Sequence, residues 1–338
     1  MINKQFNQSG LALVSVLFIT ALVVTIITAI SHRQTLDIQL TGNLVFRTQA
    51  FQYAKGAEVF ASEMLFRDFE EDGSGSLVDG PNDAWVKYGA VLPMDDGVIE
   101  VELWDLQGLY NVNNLVNNEY KVVAEQLDYL DRLFQRVSAL HTVTINQEIA
   151  QSIADWIDED DSSTGLGSEE GDYLVKTPAY RTANFYMSDS DELLLIEGVN
   201  FEIFDLIHPY LSALPTNAAK LNINLASKEL LLAIHPDIKE SDIDELIKDR
   251  AEEDNEFKDV ATFLAHPAFA GLKDPAPKAD SFQVYSNYFL LKSRITLGDR
   301  VVQMHSVLYR DETDGRTKVL TRNMSKRFNP IKPLLPIN

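Results

Sequence analysis

The stretch 155–172 is the densest concentration of groups that could bind a metal. It reads DWIDEDDSSTGLGSEEGD and has eight carboxylates among its 18 residues. Asp158, Asp160 and Ser162 occupy alternate positions, and Glu169 follows Asp158 by eleven, which matches part of the ligand spacing of a calcium loop. The glycine that an EF-hand has at position 6 is absent. The spacing therefore leaves two interpretations open, a calcium loop that is not an EF-hand and a solvated acidic loop.

The sequence gives little support for thiol chemistry, for common catalytic motifs or for nucleic-acid binding. The chain has no cysteine, which excludes disulfides, thiolate zinc sites and thiol nucleophiles. It also lacks the GxSxG, Walker A and HExxH motifs, so we expect no enzyme. A net charge of −22 opposes nucleic-acid binding, because phosphate contacts need a basic surface. An acid pair of the glycosidase type stays open, which keeps a membrane-anchored hydrolase as an alternative.

The elements that must position the acidic stretch are mostly helical. Apolar periodicity predicts helices over 124–140, 147–157, 192–197, 201–206, 228–234, 241–250 and 260–264. Period-two alternation predicts strands over 98–106, 288–297, 301–310 and about 317–322. A sheet that a helical block interrupts indicates an α+β domain with an insertion. The tail 328–338, which contains three prolines, is predicted to be irregular.

The apolar residues are concentrated near the N-terminus. Residues 11–30 contain no charge and, as a helix, would span roughly 30 Å, the thickness of a hydrocarbon core. This length exceeds that of a signal-peptide core, and the terminal position disfavours a buried core helix. A plain membrane anchor fits the length. Helical periodicity continues past Arg33 as far as Phe69, which favours a fourth interpretation, one long helix that is half in lipid.

The polar leader that ends in Gly10, directly before this apolar run, resembles that of type IV pilin-like precursors. The resemblance implies cleavage between Gly10 and Leu11 by a prepilin peptidase and methylation of the new terminal amine. Such chains usually have glutamate at the fifth mature position, where this sequence has Ser15. A carboxylate in the bilayer is costly unless it is paired, so its absence favours a subunit with nothing stacked above it, at a filament tip.

Several motifs further along resemble the protein K family of the type II secretion system. They are Gly108-x-Tyr110-Asn111-Val112-Asn113, Asp155-Trp156-Ile157-Asp158, Gly167-Ser168-Glu169-Glu170, Pro178-x-Tyr180-Arg181-x-x-Asn184, Glu192-Leu193 and Leu221-Asn222-Ile223-Asn224-Leu225-Ala226. The resemblance covers nearly the whole chain and implies a pilin-like fold, with a long N-terminal helix packed on an antiparallel sheet and a large all-α insertion domain. It also implies structural Ca²⁺ in the insertion, with these candidate ligands: Asp158, Asp160, Asp161, Glu169, Glu170, Asp172 and Asn184.

The resemblance implies a minor pseudopilin that caps the tip of the secretion pseudopilus and helps to initiate its assembly. We expect a single-pass inner-membrane protein with a periplasmic C-terminal domain, partnered by minor pseudopilins I and J and the major pseudopilin. A minor pilin of a type IV pilus is the alternative. The expected segments are leader (1–10), transmembrane part (11–30), pilin-domain helix, loop and first strand (31–106), helical insertion (107–277) and C-terminal strands with tail (278–338).

Overall fold

The computed structural model describes residues 9–73, 77–141, 143–252, 255–326, 332 and 334–336. It divides into two compact units, Met1–Lys55 and Gly56–Asn338. Helix α1 (Ser9–Asp72) begins in the first unit and ends in the second. The single long helix that the periodicity predicts is therefore confirmed, and it continues three residues beyond Phe69.

The first unit consists of the N-terminal part of α1. Its large apolar side chains from Leu13 to Ile30 are exposed, and the helix is long and apolar enough to cross a membrane. The hydroxyls of Thr20 and Thr25 donate to the carbonyls of Val16 and Ala21, four residues earlier, at 2.7 and 2.8 Å. Each threonine hydroxyl thus finds its hydrogen-bond partner within the helix itself. A lipid environment requires this, because it offers no water as an alternative partner.

The described residues of the second unit form eight further α-helices. They are α2 (Ala84–Lys87), α3 (Ala124–His141), α4 (Gln147–Ile157), α5 (Glu170–Leu174), α6 (Phe201–Ile207), α7 (Lys228–Ala233), α8 (Glu240–Ala251) and α9 (Val260–Leu264). The predicted bounds of α4 and α9 are confirmed to the residue. The segment predicted as a helix over 192–197 is a 3₁₀ helix, Ser190–Leu195.

Where the second unit is described, it also contains one six-stranded sheet and two small two-stranded sheets. The strands are β1 (Gly89–Met94), β2 (Gly97–Asp105), β3 (Tyr110–Asn111), β4 (Leu211–Ser212), β5 (Leu221–Asn222), β6 (Phe282–Gln283), β7 (Tyr288–Leu297), β8 (Arg300–Arg310), β9 (Thr317–Asn323) and β10 (Leu334–Pro336). The large sheet has the order β10-β1-β2-β7-β8-β9 and is antiparallel except for the β10–β1 pair. The parallel pairs β3–β4 and β5–β6 form the small sheets.

The strand predictions near the C-terminus are confirmed. In β7 every second residue is buried, because alternate side chains of a strand point to opposite faces of the sheet. Two strands of the large sheet, and the four short strands β3 to β6 of the small sheets, are not predicted by the sequence pattern. β1 pairs with β2 through a tight turn at Asp95 and Asp96, and β10 lies in the tail that was predicted to be irregular.

The second-unit part of α1 packs through one apolar face. Ala57, Ala61 and Leu65 recur every four residues, on one helix face, and are fully buried. Near the end of α1, Phe69 lies against Gly315, where an added Cβ would come within 2.5 Å of the Phe69 ring. Gly315 also has a positive φ of 69°. The turn before β9 therefore needs glycine both for its backbone conformation and for its close approach to Phe69.

Helices α3 to α9 occupy the chain between β2 and β7 and share their own core. This core includes Leu130, Phe134, Ile153, Tyr173 and Leu230, all fully buried or nearly so. The expected α+β class, in which a long N-terminal helix and an antiparallel sheet are joined by a helical insertion, is thus confirmed.

Buried asparagines from the recognised motifs tie the loops of the insertion together. Asn113 donates to the carbonyls of Met187 and Leu214 at 3.0 and 2.7 Å and accepts from the Met187 amide at 2.8 Å. Asn224 makes the same two-way pairing with the backbone of Phe257, at 3.0 and 2.9 Å. In these loops, no helix or strand supplies hydrogen bonds to the buried backbone N–H and C=O groups, and the asparagine side chains supply them instead. This explains why asparagine recurs in the motifs.

Candidate metal centre

Three carboxylates from the acidic stretch meet between α4 and α5. Asp155 lies in the last turn of α4, Asp158 directly follows that helix, and Glu169 directly precedes α5. Each offers an oxygen atom, and these atoms lie within 4.8 Å of one another. All three residues are buried, with exposed fractions of 0%, 3% and 6%. The fold therefore concentrates negative charge where water is excluded.

The connecting loop folds back onto α4. The Thr164 amide donates to Asp155 Oδ1 at 2.9 Å, and the Leu166 amide donates to the side-chain oxygen of Gln151 at 2.9 Å. Gly167 passes so close that an added Cβ would lie 2.0 Å from Asp155 Oδ2. The Gly- and Ser-rich composition of the loop thus permits its backbone to approach the carboxylates.

Burial and mutual repulsion make this cluster unfavourable on its own. Burial, reinforced by Asp155 and other nearby carboxylates, raises the pKa of Asp158 to about 8. The same causes raise the pKa of Glu169 to about 7, and burial raises that of Asp155. Near neutral pH the cluster must therefore bind either protons or a cation.

Buried oxygen atoms without a hydrogen-bond partner supply the test of whether a metal fits. A buried polar atom with no partner costs about 1–3 kcal/mol, more when it is charged. Within the described ranges, the partnerless buried oxygens around α4 and the following loops are Asp155 Oδ2, Asp158 Oδ1, both carboxylate oxygens of Glu169, Thr182 Oγ1 and Asn184 Oδ1. An all-oxygen set of this kind fits a hard cation such as Ca²⁺, which takes six to eight such ligands.

A backbone hydrogen bond joins Asn184 to the end of α4. Its amide donates to the carbonyl of Trp156 at 3.0 Å, between Asp155 and Asp158. The residue has a positive φ of 42°, a conformation that asparagine tolerates better than most residues. A strained backbone at a position with a partnerless side-chain oxygen is typical of a functional site.

The other predicted ligands lie differently. Asp160 and Asp161 are exposed, and Asp160 accepts a hydrogen bond from the Ser162 amide at 2.8 Å. Asp172 is exposed and accepts from the Glu169 amide at 3.1 Å, while Glu170 forms an ion pair with Arg181 at 3.1 Å. Of the predicted carboxylates, the close group contains only Asp158 and Glu169.

Asp155 is the member that sequence reasoning missed. It belongs to the motif Asp155-Trp156-Ile157-Asp158 but is not among the predicted ligands, because the calcium-loop spacing begins at Asp158. The helical spacing could have identified it as a ligand candidate. Asp155 lies three residues before Asp158, on the last turn of α4, and this spacing places both carboxylates on one side of the helix end.

The leader and tip positions lie in the first unit. Residues 1–8 of the leader lie outside the described residues, and Gly10 and Leu11 belong to α1. Ser15 lies in the exposed apolar part of the same helix. The cleavage site and the tip marker therefore stay predictions.

Comparison with known proteins gives consistent matches. The family model described as "Type II secretion system (T2SS), protein K" matches residues 108–216 and 221–284. The chain is 33% identical to the type II secretion system protein K of Pseudomonas aeruginosa, over 96% of this chain and 95% of that protein. It is 30% identical to that of Aeromonas hydrophila, over 94% and 97%.

A solved structure agrees in fold. A chain in the crystal structure of the GspK–GspI–GspJ complex from the type 2 secretion system of enterotoxigenic Escherichia coli superposes with a TM-score of 0.73. The match covers 85% of this chain and 99% of that chain, at 24% identity. Together with the sequence matches over almost the full length, these findings show that the chain belongs to the type II secretion system protein K family.

Proposed function

We propose that this chain is a minor pseudopilin that caps the tip of a type II secretion pseudopilus and helps to initiate its assembly. One observation carries the proposal: in a chain of this family, the apolar segment 11–30 and the start of the globular unit belong to one unbroken helix, α1. A helix of this design serves first as a membrane anchor and then as a packing element in a fibre. The role is assembly, and no catalytic step is assigned to the chain.

The N-terminus is prepared by processing. Prepilin peptidase cuts between Gly10 and Leu11, and the amine of Leu11 is then methylated. The exposed apolar side chains of α1 pack first among lipids and later against equivalent helices of the major pseudopilin and the other subunits. Ser15 places no carboxylate in this apolar environment, so the subunit does not need a neighbour's amine above it.

The insertion gives the tip its shape. About half of the chain lies between β2 and β7, as a helical domain added to the pilin sheet. Subunits can follow below this bulk, but none can stack above it. The solved relative lies in a complex with GspI and GspJ, which supports pseudopilins I and J as the partners here.

The protein is anchored in the inner membrane by one span, and its C-terminal domain lies in the periplasm. There, Asp155, Asp158 and Glu169 hold a structural Ca²⁺, to which Asn184 adds an amide oxygen. The bound ion neutralises the carboxylates and fixes the loop between α4 and α5. The partnerless buried oxygens support this assignment.

Co-purification tests the proposed function. The full-length chain, extracted in detergent, is expected to purify as a stable complex with pseudopilins I and J of the same bacterium, and a deletion of its gene should stop secretion. A complex with type IV pilus subunits instead would favour the alternative of a minor pilin. Secretion that continues at the normal level without the chain would contradict the tip role.

A further inference from the structure

A second group of buried acids lies outside the insertion, at the end of α1. Asp68 belongs to the last turns of α1, Asp79 to the following loop, and Asp83 directly precedes α2. Each residue offers a carboxylate oxygen, and these atoms lie within 4.8 Å of one another. We call these three residues the pilin-domain acid cluster. It shares no residue with the cluster between α4 and α5.

One arginine holds part of this cluster in place. Arg310, the last residue of β8, is fully buried, and its guanidinium donates to Asp68 Oδ2 at 3.1 Å and to Asp79 Oδ2. It also donates to the Ser286 carbonyl at 2.8 Å, while the Ser286 amide donates to Asp79 at 2.6 Å. The cluster therefore joins α1, the loop before α2 and the end of β8.

The charges in this cluster do not balance. Three carboxylates face one guanidinium, which leaves two negative charges. No Lys or Arg among the described residues lies within ion-pair distance of Asp83, whose carboxylate accepts only from the Gly80 amide, at 2.8 Å. Asp72 adds a further repulsion from the same helix end. Either two protons or one divalent cation would neutralise this excess.

A partnerless oxygen points to a ligand. Asp79 is fully buried, and its Oδ1 has no hydrogen-bond partner in the part of the chain that the structure describes. Its other oxygen is already shared by Arg310 and Ser286. Burial, with repulsion from the neighbouring acids, raises the pKa of Asp68 to about 8, and burial raises that of Asp83 to about 7. The arrangement thus favours a positive ligand beside Asp79 Oδ1.

We propose that the pilin-domain acid cluster is a cation site, which takes a hard divalent ion such as Ca²⁺ through oxygens of Asp68, Asp79 and Asp83. Only oxygen ligands are present, which excludes metals that prefer sulfur or imidazole. Calcium suits the site better than magnesium because it tolerates an irregular set of oxygens. The bound ion fastens the end of α1 to the start of α2. This proposal is independent of the pseudopilus role and of the ion in the insertion.

Calcium stoichiometry tests the site. Full-length protein in detergent is freed of metal with a chelator, and the Ca²⁺ bound per chain is measured by equilibrium dialysis. Asp83→Asn keeps an oxygen for the Gly80 amide but removes the charge, so it should bind one ion fewer than the wild type. The loss should also appear in an Asp158→Asn background, which separates the two sites. Asp95→Asn, an exposed acid in the β1–β2 turn, is the matched control and should bind as many ions as the wild type.

Thermal unfolding supplies a second readout. In chelator, Asp83→Asn should melt at the wild-type temperature or above, because the change removes a repulsion. When Ca²⁺ is added, the melting temperature of Asp83→Asn should rise less than that of the wild type. The rise for Asp68→Asn should likewise be smaller than that of the wild type. Substitution of Mg²⁺ for Ca²⁺ should give the smaller rise. Equal ion counts and equal calcium-induced rises in Asp83→Asn, Asp68→Asn and Asp95→Asn would overturn the proposal and leave protons as the neutralising ligands.

Discussion

Glu58 and Arg322 form a two-pronged ion pair between α1 and β9, across 264 residues of sequence. Arg322 Nε and Nη2 lie 2.7 and 2.8 Å from the two oxygens of Glu58, and Ser306 Oγ donates to the same carboxylate at 2.7 Å. The Glu58 side chain is 4% exposed and that of Arg322 is 38% exposed. Ser306 lies in β8 and Arg322 in β9, so this carboxylate fixes the register of α1 on the sheet.

We expect Glu58→Gln to lower the free energy of unfolding by about 1–3 kcal/mol. This is less than the loss that follows from breaking a fully buried pair, because solvent reaches Arg322. Urea unfolding of the full-length protein, followed by circular dichroism, measures the change. Glu63→Gln removes an exposed pair with Arg67 on the same helix and serves as the control, with an expected loss below about 0.5 kcal/mol. Similar losses in both variants would contradict the importance of burial.

We expect Asp158→Asn to abolish most of the stabilisation that Ca²⁺ gives to the insertion, because it removes one of the three clustered charges. The measurement is the melting temperature with Ca²⁺ and with chelator. Glu159→Gln, an exposed neighbour, should keep the full calcium-dependent rise. Asp160→Asn in the same series decides whether that exposed residue is also a ligand. No calcium-dependent rise in the wild type would refute the site.

Gly167→Ala should weaken calcium binding without changing any ligand. Its new Cβ would collide with Asp155 Oδ2, so either the loop or the carboxylate must move. Changes that misorient a ligand cost about 10-fold to 100-fold in metal affinity. Gly171→Ala is the matched control, because its Cβ would meet nothing within 4 Å and alanine favours the helix α5. Equal calcium affinities of the two variants would argue against a rigid loop.

His305 should make the protein less stable as the pH falls. Burial, with Lys292 and Lys326 nearby, lowers its pKa from 6.5 to about 4, although Asp189 and Asp191 oppose this. The unfolded chain therefore takes up a proton that the folded chain resists, so the stabilisation is complete above pH 6.5 and is lost as the pH falls towards 4. The loss is at most about 3 kcal/mol.

The variant His305→Gln isolates this effect. The difference in the free energy of unfolding between the wild type and the variant, measured from pH 7 to pH 4, should shift in favour of the variant as the pH falls. A difference that is constant over this range would show that His305 does not titrate there.

Gly10→Val should leave the precursor uncleaved, because the resemblance places the leader cut after this glycine. Mass spectrometry of the protein from membranes should then find residues 1–10 retained, with Lys4 present. Ser9→Ala leaves the glycine in place and should be processed as the wild type is. A mature N-terminus at Leu11 in the Gly10→Val protein would refute the leader assignment.

Local patterns in the sequence determined most of the helices, the longer strands and the family. The uncharged run 11–30, the alternation of β7 and β8, and the helical repeat of α4 each depend on the period of side chains along one segment. The protein K motifs likewise consist of short runs of neighbouring residues. Leader processing at Gly10 and a tip position from Ser15 are predictions that depend on sequence position alone, and the segment boundaries stay predictions of the same kind.

The tertiary structure alone decided which distant groups meet. β10 pairs with β1, more than 240 residues earlier, and no local pattern predicts such a pair. Asp155 joins Glu169 because the loop between them folds onto α4, and Arg310 meets Asp68 because β8 lies beside α1. Periodicity tells which face of a segment is buried, whereas packing of the whole chain determines which face it meets. Charged groups that cost little when solvated thereby become unfavourable when they are buried together.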